Sequence, residues 1–246
     1  MDLALGIVVG FFGGVFGLGG GFFSIPLLGF FFGFDQQHAQ GTSLVMIIPN
    51  TAISLWQYMR RSKMDLRVAI ALGVTAMPFA YLGGHLATHM ASAPLRRAFV
   101  IMMIAVAIYY AWQSLVPKPA GVKLKDRSHL WPLAFPIGAT GGILSGLFAT
   151  GGAVFTVPLI GAIFDYTQVV AQFMGLSLVF PGTVVNVATY ALSHDIVWNA
   201  GFALAIGGTI AVGWGVKLAH FLPERLLRGL FSALTGAMAI ALWLRA

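Results

Sequence analysis

The sequence contains no cysteine, which excludes disulfides, thiol chemistry and cysteine-ligated metals. Charge is almost as scarce: 9% of the 246 residues are charged and only seven are acidic. A soluble domain carries roughly a quarter charged residues, so this chain cannot hide its apolar surface in a water-soluble core. The seven acids, Asp2, Asp35, Asp65, Asp126, Asp165, Asp195 and Glu224, all fall at or near the ends of apolar segments. A cation-coupled carrier usually places a carboxylate at mid-membrane depth, and none is evident. H-E-x-x-H and G-x-S-x-G are absent, and no Gly-Lys-Ser/Thr follows the glycine run at 17–21. The sequence motifs of zinc-protease, nucleophile-elbow and phosphate-loop chemistry are therefore missing. No catalytic residue, cofactor or metal ligand is assigned.

What is present is apolar length. Hydrophobic residues make up 59% of the chain and the mean hydropathy is +0.89. Apolar stretches of about 20 residues, enough to cross a hydrocarbon core as helix, recur along the chain between short polar joints. The period-two alternation of a β-barrel is absent. The sequence predicts an all-α polytopic membrane protein. The formal charge of +7 does not indicate nucleic-acid binding, because the basic residues cluster between apolar segments: Arg60, Arg61, Lys63 and Arg67, then Lys118, Lys123, Lys125 and Arg127. That is the pattern of cytoplasmic loops. No basic n-region precedes the first apolar run, so Met1 onward is read as structure and not as a signal peptide.

An internal repeat organises the chain. At an offset of 132, identities between 10 and 29 include Gly14/Gly146, Phe16/Phe148, Gly19/Gly151, Gly20/Gly152, Pro26/Pro158 and Gly29/Gly161, nine of twenty positions in all. After a two-residue slip, Gly41, Ser43, Leu44 and Val45 match Gly175, Ser177, Leu178 and Val179. Repeated helical halves are typical of secondary transporters. The division is 1–116 as first transmembrane repeat, 117–129 as polar cytoplasmic linker and 130–246 as second repeat.

Each half opens on an apolar run of 32 residues, 3–34 and 133–164, broken by glycine at 17–21 and 150–152. A continuous helix of that length would be about 48 Å long, against a core of about 30 Å. Either the break lies within one tilted crossing, giving eight spans in a parallel 4+4 repeat, or it is the tip of a re-entrant hairpin. Hairpins leave six full spans, near 40–58, 68–88, 97–116, 172–192, 199–219 and 226–244, in inverted halves. The loop charges favour hairpins: Arg60–Arg67, Lys118–Arg127 and Lys217–Arg228 then share one side, with Arg96, Arg97 and Arg245 on the other. Pro49, Pro78 and Pro181 fall inside spans, while Trp56, Tyr58, Tyr109, Tyr110, Trp112, Trp131, Trp198 and Trp243 read as an interfacial aromatic belt.

Broken helices expose unpaired backbone N–H groups, and the helices beginning after Gly21 and Gly152 present positive dipole ends. Two such ends facing each other would bind an anion without a buried cation. The candidate anion site is therefore Gly19, Gly20, Gly21, Thr150, Gly151 and Gly152, with hydroxyls from Ser24 and Thr156. A polar line on each following helix adds Gln40, Ser43 and Asn50 in the first half and Gln172, Ser177 and Asn186 in the second. Small residues packing helices, and amides tying helices together, account for the same features structurally. His85 and Lys217 hold equivalent places near span ends, and His38 flanks the first polar helix.

Gly17-Leu18-Gly19-Gly20-Gly21, Pro26-Leu27 and Ala39-Gln40-Gly41-Thr42-Ser43-Leu44, answered by Gly151-Gly152, Pro158-Leu159 and Gly175-Leu176-Ser177-Leu178, resemble the TauE/SafE family of membrane exporters. The resemblance covers nearly the whole chain. It implies export of sulfite, sulfoacetate or a related sulfur anion across the bacterial inner membrane, a small anionic substrate and no nucleic acid. The second half departs from the pattern at Ala149-Thr150-Gly151-Gly152-Ala153, so the two half-sites are unequal. An inside-negative potential favours expulsion of a monovalent anion by about 2.3 kcal/mol per 100 mV, so export needs no intramembrane acid. Alternating access between the glycine tips is the expected mechanism, with His38 or His85 as candidates should protons couple. An anion channel, or a carrier of a carboxylate or other organic anion, uses the same features. A monomer and a homodimer are equally open.

Overall fold

The computed structural model describes residues 2–60, 66–115, 128–164, 166, 168–219 and 221–244. The basic residues Arg61, Lys63, Lys118, Lys123, Lys125, Arg127 and Arg245, and the acids Asp65, Asp126 and Asp165, lie outside that set, as does most of the 117–129 linker. Among the described residues ten α-helices follow in order: α1 Asp2–Phe16, α2 Gly21–Phe32, α3 Gln36–Met59, α4 Leu66–His89, α5 Ser92–Leu115, α6 Ala134–Phe148, α7 Ala153–Ile163, α8 Gln168–Leu192, α9 Trp198–Ala219 and α10 Glu224–Trp243, with a 3-10 helix at Ser128–Leu133 before α6. Among the described residues there is no strand.

Six stretches among the described residues are long and apolar enough to cross a membrane: 66–89, 92–115, 131–148, 170–192, 198–219 and 225–243. Five coincide with expected spans. The sixth differs: α3, expected as a span, is long enough at 24 residues, about 36 Å at 1.5 Å per residue, but its glutamines, hydroxyls and Asn50 make it too polar to qualify. The stretch Trp131–Phe148 qualifies instead, because the 3-10 turn lengthens α6. The other segments beside the breaks are short. At 15, 12 and 11 residues, α1, α2 and α7 extend only about 16–23 Å.

Glycine lets the helices approach closely. Gly6, Gly10 and Gly14 of α1 lie against Leu204, Gly208 and Val212 of α9, and Gly138, Gly142 and Gly146 of α6 lie against Leu72, Ala76 and Ala80 of α4. Both ladders ascend together, so each pair runs in the same direction. A Cβ on Gly6 would come within 2.5 Å of the Leu204 carbonyl oxygen, so small residues here are what allow backbone to meet backbone. α3 and α8 cross the centre in opposite directions, with Gln40 beside Tyr190 and Tyr58 beside Gln172. The outer faces are apolar: Ile70, Val74, Met77 and Tyr81 on α4 and Phe202, Ile206, Ile210 and Trp214 on α9 are all exposed. Their spacing of three to four residues makes one stripe per helix, the surface expected against lipid.

The aromatic belt is only partly as expected. Trp56, Trp112, Trp131, Trp198 and Trp243 are exposed, but Tyr58 is fully buried and Tyr110 is 6% exposed. Tyr58 reaches inward to a glutamine, and Tyr110 packs 4.7 Å from the Phe231 ring. Position near a helix end does not fix which face a tyrosine takes. Pro49, Pro78 and Pro181 lie inside α3, α4 and α8, as expected.

Candidate functional site

The two breaks repeat one backbone solution. Gly20 precedes α2 at φ 95° and Gly152 precedes α7 at φ 76°, both left-handed, a region that side chains other than glycine enter at a cost. The first turn is then closed by Ser24 N–H donating to Gly20 O and Thr156 N–H donating to Gly152 O, at 3.1 and 3.2 Å. The breaks meet at the centre of the molecule: a Cβ on Gly21 would lie 3.1 Å from the Ala149 carbonyl oxygen. Their surroundings are tight. A Cβ on Gly19 would lie 2.6 Å from Thr51 Cγ2, and one on Gly151 would lie 2.6 Å from Val179 Cγ1.

The side chains singled out from the sequence are gathered unequally. Ser24 and Thr156 are buried, but their hydroxyls donate to Gly21 O and Gly152 O at 3.0 and 3.2 Å. Ser43 and Ser177 likewise donate to Ala39 O and Phe173 O, and Ser177 also opens onto a groove on the outer side of α8. Asn50 donates to Gly19 O at 3.3 Å, holding the first tip, and Asn186 donates to Ser145 Oγ at 3.2 Å. Gln172 is used on both ends, accepting from Tyr58 at 2.9 Å and donating to Phe16 O at 3.1 Å. Gln40 accepts from Tyr190 at 2.8 Å, but its Nε2 has no hydrogen-bond partner, and neither has the fully buried Thr150 hydroxyl.

Three side chains were not legible as site residues. Tyr58 and Tyr190 stand 132 apart, as do Gln40 and Gln172, and each tyrosine donates to the glutamine of the other half. The repeat offset, carried on to position 190, was the available signal. The third is Arg228, counted by sequence as a loop charge. It is 5% exposed and lines a narrow crevice with Phe16, Leu18 and Gln172. A buried guanidinium, not expected from the sequence, thus stands beside the first break. The crevice measures about 10 Å³, room for about one water, so in this conformation it is shut.

The other candidates stay at the periphery. Lys217 lies 5.8 Å over the Trp214 ring of its own helix, and His85 packs on Tyr81 and His89. His38 pairs with Asp35 at 2.8 Å at the start of α3, well away from Gly19, which sits beside Ile47 and Thr51. Near them, burial holds the Asp195 carboxyl above its ordinary range; His38 and His194 oppose the shift and Asp35 adds to it. Among the described residues no three His, Asp or Glu side chains stand together to hold a metal.

The family model described as "Sulfite exporter TauE/SafE" matches residues 3–242. A "Probable membrane transporter protein" of Methanocaldococcus jannaschii is 28% identical over 97% of this chain and 92% of its own length. The "Probable membrane transporter protein YunE" of Bacillus subtilis is 24% identical over 83% and 82%. A similarly named protein of Xylella fastidiosa is 34% identical over 45% of this chain and 43% of its own. No solved structure matches. A glycine-broken helical membrane chain with this full-length match belongs to the sulfite exporter TauE/SafE family.

Proposed function

We propose that this multi-pass membrane protein is a secondary transporter that exports a small anion, a sulfur oxyanion such as sulfite or a sulfonate, across the bacterial cytoplasmic membrane. The carrying observation is two of the buried donors left without a partner: the Thr150 hydroxyl in the second left-handed break, and Nε2 of Gln40, whose partner Tyr190 also donates to Gly146 O just before that break. A buried donor without a partner costs about 1–3 kcal/mol; anion oxygens lying between the tips remove that cost. The N-terminal N–H groups of α2 and α7 add a partial positive charge, and Arg228 supplies a full one.

The architecture that goes with this reading is two inverted repeats, 1–116 and 130–246, joined by a cytoplasmic linker. α1–α2 and α6–α7 are then re-entrant hairpins, and the halves rock about the site in alternating access. Three observations support it. α1 runs with α9 and α6 runs with α4, the same pairing seen from each half. α2 starts beside the middle of α1, with a Cβ on Gly20 3.2 Å from Val9. α3 and α8 exchange equivalent tyrosine–glutamine bonds. Reciprocal contacts of this kind are what a two-fold axis produces.

The test is a flux and binding panel on the purified protein in proteoliposomes: sulfite, sulfoacetate, thiosulfate and simple carboxylates. Saturable movement of at least one sulfur anion is expected. No saturable flux for any of them contradicts the reading.

A further inference from the structure

Arg228 has a counterpart. Arg96 stands 132 positions before it, near the start of α5 as Arg228 is near the start of α10. The surroundings correspond as well: Arg96 shares a crevice with Ile25 and Leu242, and Arg228 shares one with Val157 and Tyr110, each pair at the same offset. The two crevices differ in state. The one at Arg228 is shut at about 10 Å³, whereas the one at Arg96 is open at about 330 Å³. Gln36, 2% exposed, is also among the residues that line the open crevice.

We propose that the Arg96–Gln36 crevice is a second anion-binding site, the extracytoplasmic vestibule, which takes a small organic anion of the sulfonate or carboxylate class. This rests on the transport reading only for its place in the cycle. A guanidinium set in a wall of Ile25, Pro26, Phe34 and Met238, with Gln36 beside it, matches an anionic head on an apolar body better than a bare inorganic ion. A cleft lined by one sign of charge with low-dielectric walls concentrates ions of the opposite sign. Three residues of the shut crevice, Arg228, Val157 and Tyr110, stand at the offset of 132 from Arg96, Ile25 and Leu242 of the open one, so under this proposal the two vestibules are one site in two states. Opening at Arg228 and closing at Arg96 completes the cycle.

The cysteine-free chain allows a direct test. Met238→Cys is introduced into the full protein in oriented vesicles and treated with two methanethiosulfonate reagents, one sulfonatoethyl and one trimethylammonium-ethyl. Rates are normalised to a free thiol. From the Arg96 side the sulfonate reagent is expected to react about tenfold faster than the cationic one. Arg96→Gln removes that preference and Arg96→Lys keeps it, both judged on monodisperse protein. Val157→Cys, 2% exposed in the shut crevice, is expected to resist both reagents from the opposite side. Three results overturn the proposal: a preference unchanged by Arg96→Gln, an unreactive Met238→Cys, or a Val157→Cys that reacts as fast as Met238→Cys. Sulfite flux intact alongside such a result removes the vestibule alone; a charge preference without flux of any anion removes the transport reading alone.

Discussion

At the first break the chain is left-handed at Gly17, Gly19 and Gly20; at the second it is left-handed at Ala149, Gly151 and Gly152, each 132 positions later. The backbone is shared and the support around it is not. On the first side Gln172 has a partner at both ends and Asn50 holds Gly19 O, with Arg228 sealed alongside. On the second side Gln40 keeps a free donor, Thr150 has an unused hydroxyl, and Ala149 carries a Cβ in a conformation that suits glycine. The difference lies in what each side offers under the proposed reading. The first side offers the Arg228 guanidinium, and the second offers the unmet donors of Gln40 and Thr150.

The largest effect that could break this comparison comes from the tips themselves. Gly20→Val and Gly152→Val place a β-branched side chain at φ 95° and 76°, and the new Cβ of Gly20→Val would lie 2.8 Å from Met46 Cε. Anion binding by protein that remains monodisperse should fall by at least about tenfold, because the new side chain crowds the backbone donors and each lost bond to a charged group is worth about 1.5–3 kcal/mol. Gly29→Ala is the control, because its nearest neighbour would be 3.6 Å away, and calorimetric binding should be near wild type. Next, Arg228→Gln removes the buried charge beside the first tip. A lost charge-assisted bond of about 1.5–3 kcal/mol corresponds to roughly a tenfold to hundredfold rise in the anion dissociation constant, with the fold intact by thermal melting.

Smaller effects sharpen it. Tyr58→Phe and Tyr190→Phe each take a donor from a buried glutamine oxygen, and each should lower stability by about 1–3 kcal/mol in detergent unfolding. Two equal losses would indicate that the latches are equivalent. Ala149→Gly should do the opposite and raise stability by up to about 1–2 kcal/mol, while Gly17→Ala, at φ 67°, lowers it by a similar amount. Ala149→Gly without gain would mean that the second break is not strained relative to the first.

The helical spans and the glycine breaks were legible because apolar length and runs of glycine are one-dimensional features. The faces were not. Tyr58 and Tyr110 looked interfacial from their place near helix ends, and only the packing of α3 against α8 and of α5 against α10 turns them inward. Arg228 looked like a loop cation because it lies four residues into α10, and what surrounds it comes from distant segments: Phe16 and Leu18 at the first break, Tyr110, Val157 and Gln172. Ser24 and Thr156 were chosen correctly as first-turn residues, but their hydroxyls close on their own helix turn, a local competition that a residue type alone does not decide. The polar line of α3 was legible as a face, yet it made that helix too polar to pass for an ordinary span.

All of this depends on the two halves being inverted, so that Arg96 and Arg228 face opposite sides. The most direct measurement is the sidedness of single cysteines placed at exposed Arg60, Arg225 and Arg97 on the natively cysteine-free chain, probed with an impermeant thiol reagent in intact cells. Arg60→Cys and Arg225→Cys should be protected, as cytoplasmic positions are, and Arg97→Cys should label from outside. Labelling of Arg60→Cys and Arg225→Cys from opposite sides would contradict the inversion and restore eight parallel spans.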